Sequence, residues 1–447
     1  MILRSGKHLA RAACAALAVA AMPVAAQTLT PVGPLDTDVL DMSSDGSVLV
    51  GTQVFGAYAF RWTREGGTEI LGGNGGNTKV SRDGTMIVGN VLVDGHNEAA
   101  IWLGGHDWLP LGGLAETGCP DFSDSYGLNR DGSVVVGLGW NGCIARGFRW
   151  DAIGGMVDLG SLDGQSSRAN AVSADGTIIV GWDDAEDGSR RGARWVNGVE
   201  SLLAGPGEPF LGSAEAVSAD GRVVVGGNAG KGRQFNKAYR WTAEHGGEVI
   251  GMLPNDDPLA GAYAFAVSDD GRVVGGASGA QAREAFLWTR TTGIFRFQDY
   301  LADLGVQGLD NWKLDTVIAI SGDGTTIAGW GYRGLAPFSR VQGWVVDGLP
   351  PFVDTDADGA LDPVDNCMLS ANEDQRDTDG DLYGNRCDPD FDNDGIVDRD
   401  DAAYLRGMLG TNDPDADLDG DGTVGARDLV ILRNFRGKPP GPSGRVD

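Results

Sequence analysis

One phrase recurs seven times in this chain: Asp-Gly, then an apolar triplet, then a glycine. It reads DGSVLVG at Asp45, DGTMIVG at Asp83, DGSVVVG at Asp131, DGTIIVG at Asp175 and DGRVVVG at Asp220, with looser copies DGRVVGG at Asp270 and DGTTIAG at Asp323. Successive aspartates stand 38, 48, 44, 45, 50 and 53 residues apart, so the unit is about 45 residues long with loops of variable length. A tryptophan follows each aspartate by 17 to 21 residues: Trp62, Trp102, Trp150, Trp195, Trp241, Trp288 and Trp344. A period of this size means that each unit buries its apolar face on its neighbours.

Each unit has room for four short strands. An alternating stretch such as Ala169-Asn170-Ala171-Val172-Ser173 precedes the Asp-Gly turn, where glycine tolerates positive φ and aspartate bonds back to the backbone. The β-branched triplet makes a second strand, the stretch ending in Phe-Arg-Trp a third, and Gly154 to Gly160 shows the form of the fourth. Four strands in 40 to 50 residues is the arithmetic of a propeller blade. The fold expected is therefore all-β, a seven-bladed β-propeller. The last unit lacks a fourth strand, because Trp344 is soon followed by Gly348-Leu349-Pro350-Pro351. Leu29 to Leu35, ahead of the first Asp-Gly, supplies one and closes the ring, which removes exposed sheet edges. An open β-solenoid is the rival architecture, and the uneven unit lengths count against it.

These phrases, S-A-D-G-T-I-I-V-G-W with G-F-R-W, K-A-Y-R-W or E-A-F-L-W, resemble the bacterial extracellular HAF-repeat proteins over roughly residues 40 to 350. The resemblance implies an exported β-repeat protein and no particular reaction. Seven equivalent placements give the repeated Asp and Trp turn and core roles.

The ends of the chain carry other information. Residues 1–26 read as a signal peptide, with Arg4, Lys7 and Arg11, an Ala-rich apolar run from Ala12 to Ala21, and small residues before Gln27. No later segment is long and apolar enough to span a membrane, so an exported, secreted or extracellular protein is expected, in a periplasm, at a cell surface or released. Cleavage leaves four cysteines, and pairing within each region joins Cys119 with Cys143 and Cys367 with Cys387. The formal net charge of −28 excludes a nucleic-acid binder.

That charge is concentrated. From Asp354 to Asp428 there are 22 Asp and one Glu against five Arg, whereas residues 27–353 carry about −16 over a stretch four times longer. The acids are also spaced. Asp390, Asp392 and Asp394 precede Gly395, with Asp401 at the twelfth position. Asp417, Asp419 and Asp421 precede Gly422, with Asp428 at the twelfth. This is a calcium-loop pattern: carboxylates at positions 1, 3 and 5 converge, glycine at 6 allows the turn, position 7 gives a carbonyl and position 12 closes the sphere. Ile396 and Thr423 are the carbonyl donors. Tyr404, Leu405 and Met408, then Ile431, Leu432 and Phe435, mark one helix face after each loop.

The duplicated unit DFDNDGIVDRDDAAYLRGML and DLDGDGTVGARDLVILRNF resembles a dockerin module. The resemblance implies at least two Ca2+ ions and a cohesin-like partner; positions 10 and 11 hold Arg399-Asp400 and Ala426-Arg427 instead of the common Ser/Thr pair. Upstream, DTDADGALDPVDNC and NEDQRDTDGDLYGNRCD resemble thrombospondin type 3 repeats, at Asp354, Asp356, Asp358, Asp362, Asp365, Asn366, Asp377, Asp379 and Asp381. Leu382 stands where the second of these loops would want glycine.

The domain plan is a signal at 1–26, a propeller at 27–349, a calcium segment at 350–389, a paired-loop module at 390–437 and a disordered tail at 438–447. His96, His106 and His245 show no metal spacing, and no catalytic residue is assigned. Asp183, Asp184, Glu186 and Asp187 with Arg190 and Arg191 read as a solvated blade loop. The functional expectation is a secreted, non-catalytic calcium-binding protein whose propeller meets a ligand or surface and whose C-terminal module attaches to a cell-surface protein or polysaccharide. The alternative is an extracellular carbohydrate-active enzyme carrying a docking module.

Overall fold

The computed structural model of the protein describes residues 27–53, 58–114, 122–205, 210–227, 237–254, 260–279, 283–334, 340–356 and 358–445. Seven four-stranded antiparallel blades occupy residues 37–72, 79–110, 123–158, 167–202, 214–251, 262–296 and 312–346. Blade seven brings only three strands from its own unit. Its fourth is the N-terminal strand Thr30–Val32, which pairs antiparallel with Arg340–Val346 in the register Pro31 to Trp344. The ring is thus closed by chain ends, and the open solenoid is excluded.

Closure also shows in the packing. Each pair of neighbouring blades shares an apolar cluster, including blades seven and one, where Ala319, Ala328 and Val345 meet Val39, Leu49 and Phe60. Four of the repeated tryptophans, Trp62, Trp195, Trp288 and Trp344, are buried, with Trp195 and Trp344 losing all exposure. A short helix, α1 (Phe297–Asp303), leads from blade six to blade seven and buries Phe297, Tyr300 and Leu301.

The repeated phrase now has a physical account at each position. In blade four, the Ser173 hydroxyl donates to Asp175 Oδ1 at 2.6 Å and accepts the Ile178 amide at 3.0 Å, while Asp175 accepts the Thr177 amide at 3.0 Å. Serine stands two residues before the aspartate in six blades and Asn129 in blade three, where its Oδ1 accepts the Val134 amide at 2.9 Å. Hydrogen bonds from Ser173 and the Thr177 amide hold Asp175 below the usual carboxylate range. The glycine that ends the phrase answers a bulge. The innermost strand shifts register, for instance between Ala169 and Ala171, and presses a carbonyl onto the second strand. A methyl group at Gly51, Gly137, Gly181, Gly226, Gly276 or Gly329 would overlap the carbonyl oxygen of Asp38, Asp124, Arg168, Ser213, Tyr263 or Thr316. Blade two shows no such register shift, and there the nearest atoms to a Cβ at Gly89 are side-chain ones, the Trp108 ring at 2.9 Å and Thr78 Oγ1 at 3.7 Å.

The residue after the serine or asparagine forms a further device. Backbone amides bond from blade to blade around the axis: Ser44 to Arg82, Asp83 to Arg130, Arg130 to Ala174, Ala174 to Ala219, Ala219 to Asp269, Asp269 to Gly322 and Gly322 to Ser44, at 2.7 to 3.2 Å. These seven bonds make a complete circle. Inside it the Arg82 guanidinium pairs with Asp269, which also accepts the Ser44 hydroxyl at 2.7 Å, so the turn-bearing end of the central channel is plugged.

C-terminal to blade seven the chain forms a small body joined to the propeller. Leu349 and Leu361 enter the cluster that holds Phe297, Tyr300 and Trp344, and Phe352 packs on Tyr300 with ring centroids 5.5 Å apart. The helices α2 (Arg399–Met408) and α3 (Ala426–Phe435) follow the paired loops and share a core of Val397, Leu405, Leu418, Val424 and Leu432. Of the expected helix faces, Leu405 and Leu432 are buried; Tyr404 is exposed and lies against Phe391 at 4.9 Å. The Cys367–Cys387 disulfide is present, spanning 5.6 Å between Cα atoms. The expected partner of Cys143, Cys119, lies outside the described residues.

Two expectations need correction. The tail read as disordered is laid against the acidic loops over 438–445: Lys438 O accepts the Val397 amide, the Gly441 amide reaches Cys387 O, and the Gly444 amide reaches Asp365 O. Arg445 Nε adds a bond to Val364 O at 2.9 Å. Backbone pairing of this kind is invisible in a Pro- and Gly-rich composition. The Asp183 to Asp187 loop is solvated only at Glu186 and Asp187. Asp183 has no exposed surface, accepts the Ser161 hydroxyl at 2.5 Å and pairs with Arg191 at 2.7 Å, which also reaches Asp163 at 3.0 Å.

Candidate functional site

Four carboxylate loops lie along the C-terminal body, and they share one internal geometry. The amide at position 6 donates to the position 1 carboxylate: Gly359 to Asp354 at 3.1 Å, Leu382 to Asp377 at 3.2 Å, Gly395 to Asp390 at 2.7 Å and Gly422 to Asp417 at 2.9 Å. The amide at position 7 donates to position 5: Ala360 to Asp358, Tyr383 to Asp381, Ile396 to Asp394 and Thr423 to Asp421, at 2.8 to 3.0 Å. The turn that these bonds require puts glycine in positive φ at positions 359, 395 and 422, and Leu382 adopts the same conformation at φ 80°.

The fold brings most of the sequence-assigned acids together. One oxygen from each of Asp354, Asp356 and Asp358 falls within 4.8 Å of the others, as do those of Asp377, Asp379 and Asp381, of Asp390, Asp392 and Asp401, and of Asp417, Asp419 and Asp421. The twelfth-position acids are buried and fixed by amides. Asp401 accepts Phe391 N at 2.9 Å and Asp398 N at 2.7 Å; Asp428 accepts Asp419 N at 3.0 Å and Gly425 N at 2.6 Å. Asp394 is joined to this frame through the Ile396 amide instead of the carboxylate trio.

The first loop leaves its charge uncompensated. Asp365 is fully buried; its Oδ1 accepts Cys367 N and Gln375 Nε2, and its Oδ2 has no hydrogen-bond partner among the described residues. Both oxygens of Asp356 are also without a hydrogen bond among the described residues. Burial, then the neighbouring Asp358 and Asp365, push the Asp356 carboxyl up. Mutually repelling carboxylates with free lone pairs form an oxygen donor set suited to a hard divalent cation.

Several members of this body are not among the residues assigned above. Asp388, six residues beyond Leu382, is pushed up to about 8 by burial and then by Asp381. Asp415 is pushed up to about 6 by burial and then by Asp379. Arg376 reaches from the upstream segment into the last loop, with its guanidinium 3.4 Å from Asp417 Oδ2, and Asn393 donates to Asp379 Oδ2 at 2.9 Å. Asp388 stands at the twelfth position of the Asp377 loop, the offset that Asp365, Asp401 and Asp428 hold in theirs, so spacing was the signal that could have found it; Asp415 and Arg376 fall outside every twelve-residue frame.

The propeller offers a second locus, the channel behind the plugged ring. A cavity of about 130 Å³ is lined by Asp41, Lys79, Tyr126, Asn170, Glu215 and Phe265. Asn170 Nδ2 donates to Glu215 Oε2 at 3.2 Å, and Lys79 Nζ to Leu40 O at 2.8 Å. Farther from the turns on the same inner strands, burial and then the Asp315 charge push Asp38 up to about 6. His96, His106 and His245 join none of the carboxylate groups found among the described residues.

No protein-family model matches the chain, and no curated protein matches it. Solved structures are similar at low identity. The β-propeller domain of the Trilobed protease from Pyrococcus furiosus, described as having an open velcro topology, is 14 % identical, with 71 % of this chain and 95 % of that chain covered and a TM-score of 0.44. The Cps50 (Swd1) β-propeller domain from Myceliophteria thermophila is 12 % identical, over 71 % of this chain and 99 % of that one, with a TM-score of 0.43. The hydrazine synthase of Kuenenia stuttgartiensis is 14 % identical, over 69 % and 96 %, with a TM-score of 0.42. No helix among the described residues is long and apolar enough to cross a membrane.

Proposed function

We propose that this is an exported, non-catalytic calcium-binding protein, with a propeller that meets a ligand or surface and a C-terminal body that makes a calcium-dependent attachment to a cohesin-like protein, another surface protein or a polysaccharide. One observation carries the reading. Four loops repeat the same amide-to-carboxylate frame, and the first of them keeps buried carboxylate oxygens with no hydrogen-bond partner among the described residues. Asp354, Asp356, Asp358 and Asp365 would hold one Ca2+; Asp377, Asp379 and Asp381 a second; Asp390, Asp392, Asp394, the Ile396 carbonyl and Asp401 a third; Asp417, Asp419, Asp421, the Thr423 carbonyl and Asp428 a fourth. Bound ions would neutralise charge that the fold otherwise confines.

Isothermal titration of the chelated protein with calcium tests this. At least two ions should bind, and Asp390→Asn with Asp417→Asn should remove two. A flat titration refutes the reading. The enzyme alternative has one observation on its side, the Asp38 and Asp315 neighbours in the channel. Turnover on a polysaccharide panel that is lost in Asp38→Asn would move the assignment there.

A further inference from the structure

On the turn-bearing face, blades four to six enclose a groove of about 1110 Å³ lined by Arg194, Arg222, Arg240 and Arg290. A second hollow of about 400 Å³ shares Arg240 and Arg290, adds Arg272 and ends at Phe352, Val353 and Asp354. The two make one trough running to the root of the calcium segment. Its five arginines share the recess with Asp220, Glu244, Glu248, Asp270 and Asp354, so the arginines that count for a ligand are those the acids leave unpaired.

The repeat itself shows which of them are surplus. Arg194 and Arg240 are the arginines of the third-strand Arg-Trp pair. Their equivalents are matched within the blade: Arg61 lies 3.9 Å from Glu69, and Arg149 contacts Asp151. In blade four the residue paired across from Arg194 is Ser201, where blade one has Glu69. In blade five it is Glu248, whose carboxylate goes instead to Arg290 at 3.0 Å. Arg194 and Arg240 therefore make no ion pair among the described residues. Among the described residues Arg194 Nε is buried without a hydrogen-bond partner, its guanidinium lying 5.8 Å from the Trp241 ring centroid, and Arg240 Nε reaches only the Gly271 carbonyl at 3.4 Å. Burial draws both guanidiniums below their ordinary range, and Arg290 adds to this at Arg240. Arg222 and Arg272 are exposed and paired, with Asp220 Oδ2 at 3.6 Å and Asp270 Oδ2 at 3.5 Å, the other oxygens of these aspartates accepting the Ser218 and Ser268 hydroxyls.

A guanidinium fork matches the paired oxygens of a carboxylate or sulfate. The open, elongated trough suits a chain better than a single ion, and Ile178, Val223 and Val249 give it apolar wall for sugar faces. Dense polyanions such as DNA are opposed by the overall charge, whereas one anionic group per sugar is not. We propose that this trough binds an acidic polysaccharide, with the Arg194 and Arg240 forks holding the anionic groups of neighbouring sugars.

The proposal rests on the propeller being a binding domain, and it is tested on the full chain with calcium saturating, so that its failure leaves the calcium titration standing. The probes are a galacturonate tetramer, which carries one carboxylate per sugar, and a fucan tetrasaccharide sulfated once per sugar. At least one should bind, more weakly as salt rises, and the preferred probe identifies the anionic group. Arg194→Gln with Arg240→Gln should weaken binding by about tenfold or more with an unchanged melting temperature, while Arg61→Gln, at the same repeat position but already paired, should leave it unaltered. Binding of neither probe, an unaffected double variant, or an equal loss in Arg61→Gln would overturn the proposal.

Discussion

Single residues carry the repeat by steric and hydrogen-bonding roles that are local in some cases and not in others. The Asp-Gly turn is readable from two adjacent residues, and the serine two positions before it completes the same turn. The glycine closing the phrase is different: its cause is a carbonyl on another strand, delivered by a bulge that leaves no mark in composition. Gly181→Ala should therefore cost about 2 kcal/mol or more in urea unfolding, as overpacking does, and Gly89→Ala distinctly less, since a ring edge can shift where a backbone carbonyl cannot. Equal losses at the two sites would remove this account. Leu382 carries the opposite prediction. It holds φ 80° where its three counterpart loops have glycine, so Leu382→Gly should raise the stability of the calcium-loaded body by about 1 kcal/mol, seen as a higher melting temperature for its transition.

Loops, strands and the tail form the next scale. The four loops were legible because ligand spacing is fixed within twelve residues, and the closing strand because blade seven lacked one. Asp388, at the twelfth position of the Asp377 loop, was legible by the same spacing and passed over; Asp415 and Arg376 were not, since folding of separate segments brings them to the loops. The raised carboxyls give a signed pH prediction for the chelated protein. With Asp388 up at about 8 and Asp415 at about 6, the folded body keeps protons that the unfolded chain releases near pH 4. The folded state then binds more protons than the unfolded one, and stability falls as pH rises from about 4 through about 8. Calcium reverses the slope, because ligation needs the deprotonated acids. Melting curves at pH 5 and pH 8, with chelator and with calcium, should cross over. A chelated body that is more stable at pH 8 would contradict the assignment of these groups.

The whole molecule is a closed ring with an acidic body fastened to one face. Seven inter-blade clusters and a seven-bond backbone circle make the propeller independent of the loops, while Leu349, Phe352 and Leu361 tie the loops to it near α1. Glycine and acid, both abundant in the chain, thus belong to separate parts: glycine punctuates the blades, and the densest acid lies in the loops. If those loops hold calcium as proposed, their folding depends on the metal. The most direct test is limited proteolysis read by mass spectrometry, with circular dichroism in parallel, before and after chelation. The account predicts that chelation opens cleavage sites within residues 354–437, spares the β-ring, and is reversed by added calcium. Identical fragments and spectra in both conditions would contradict it.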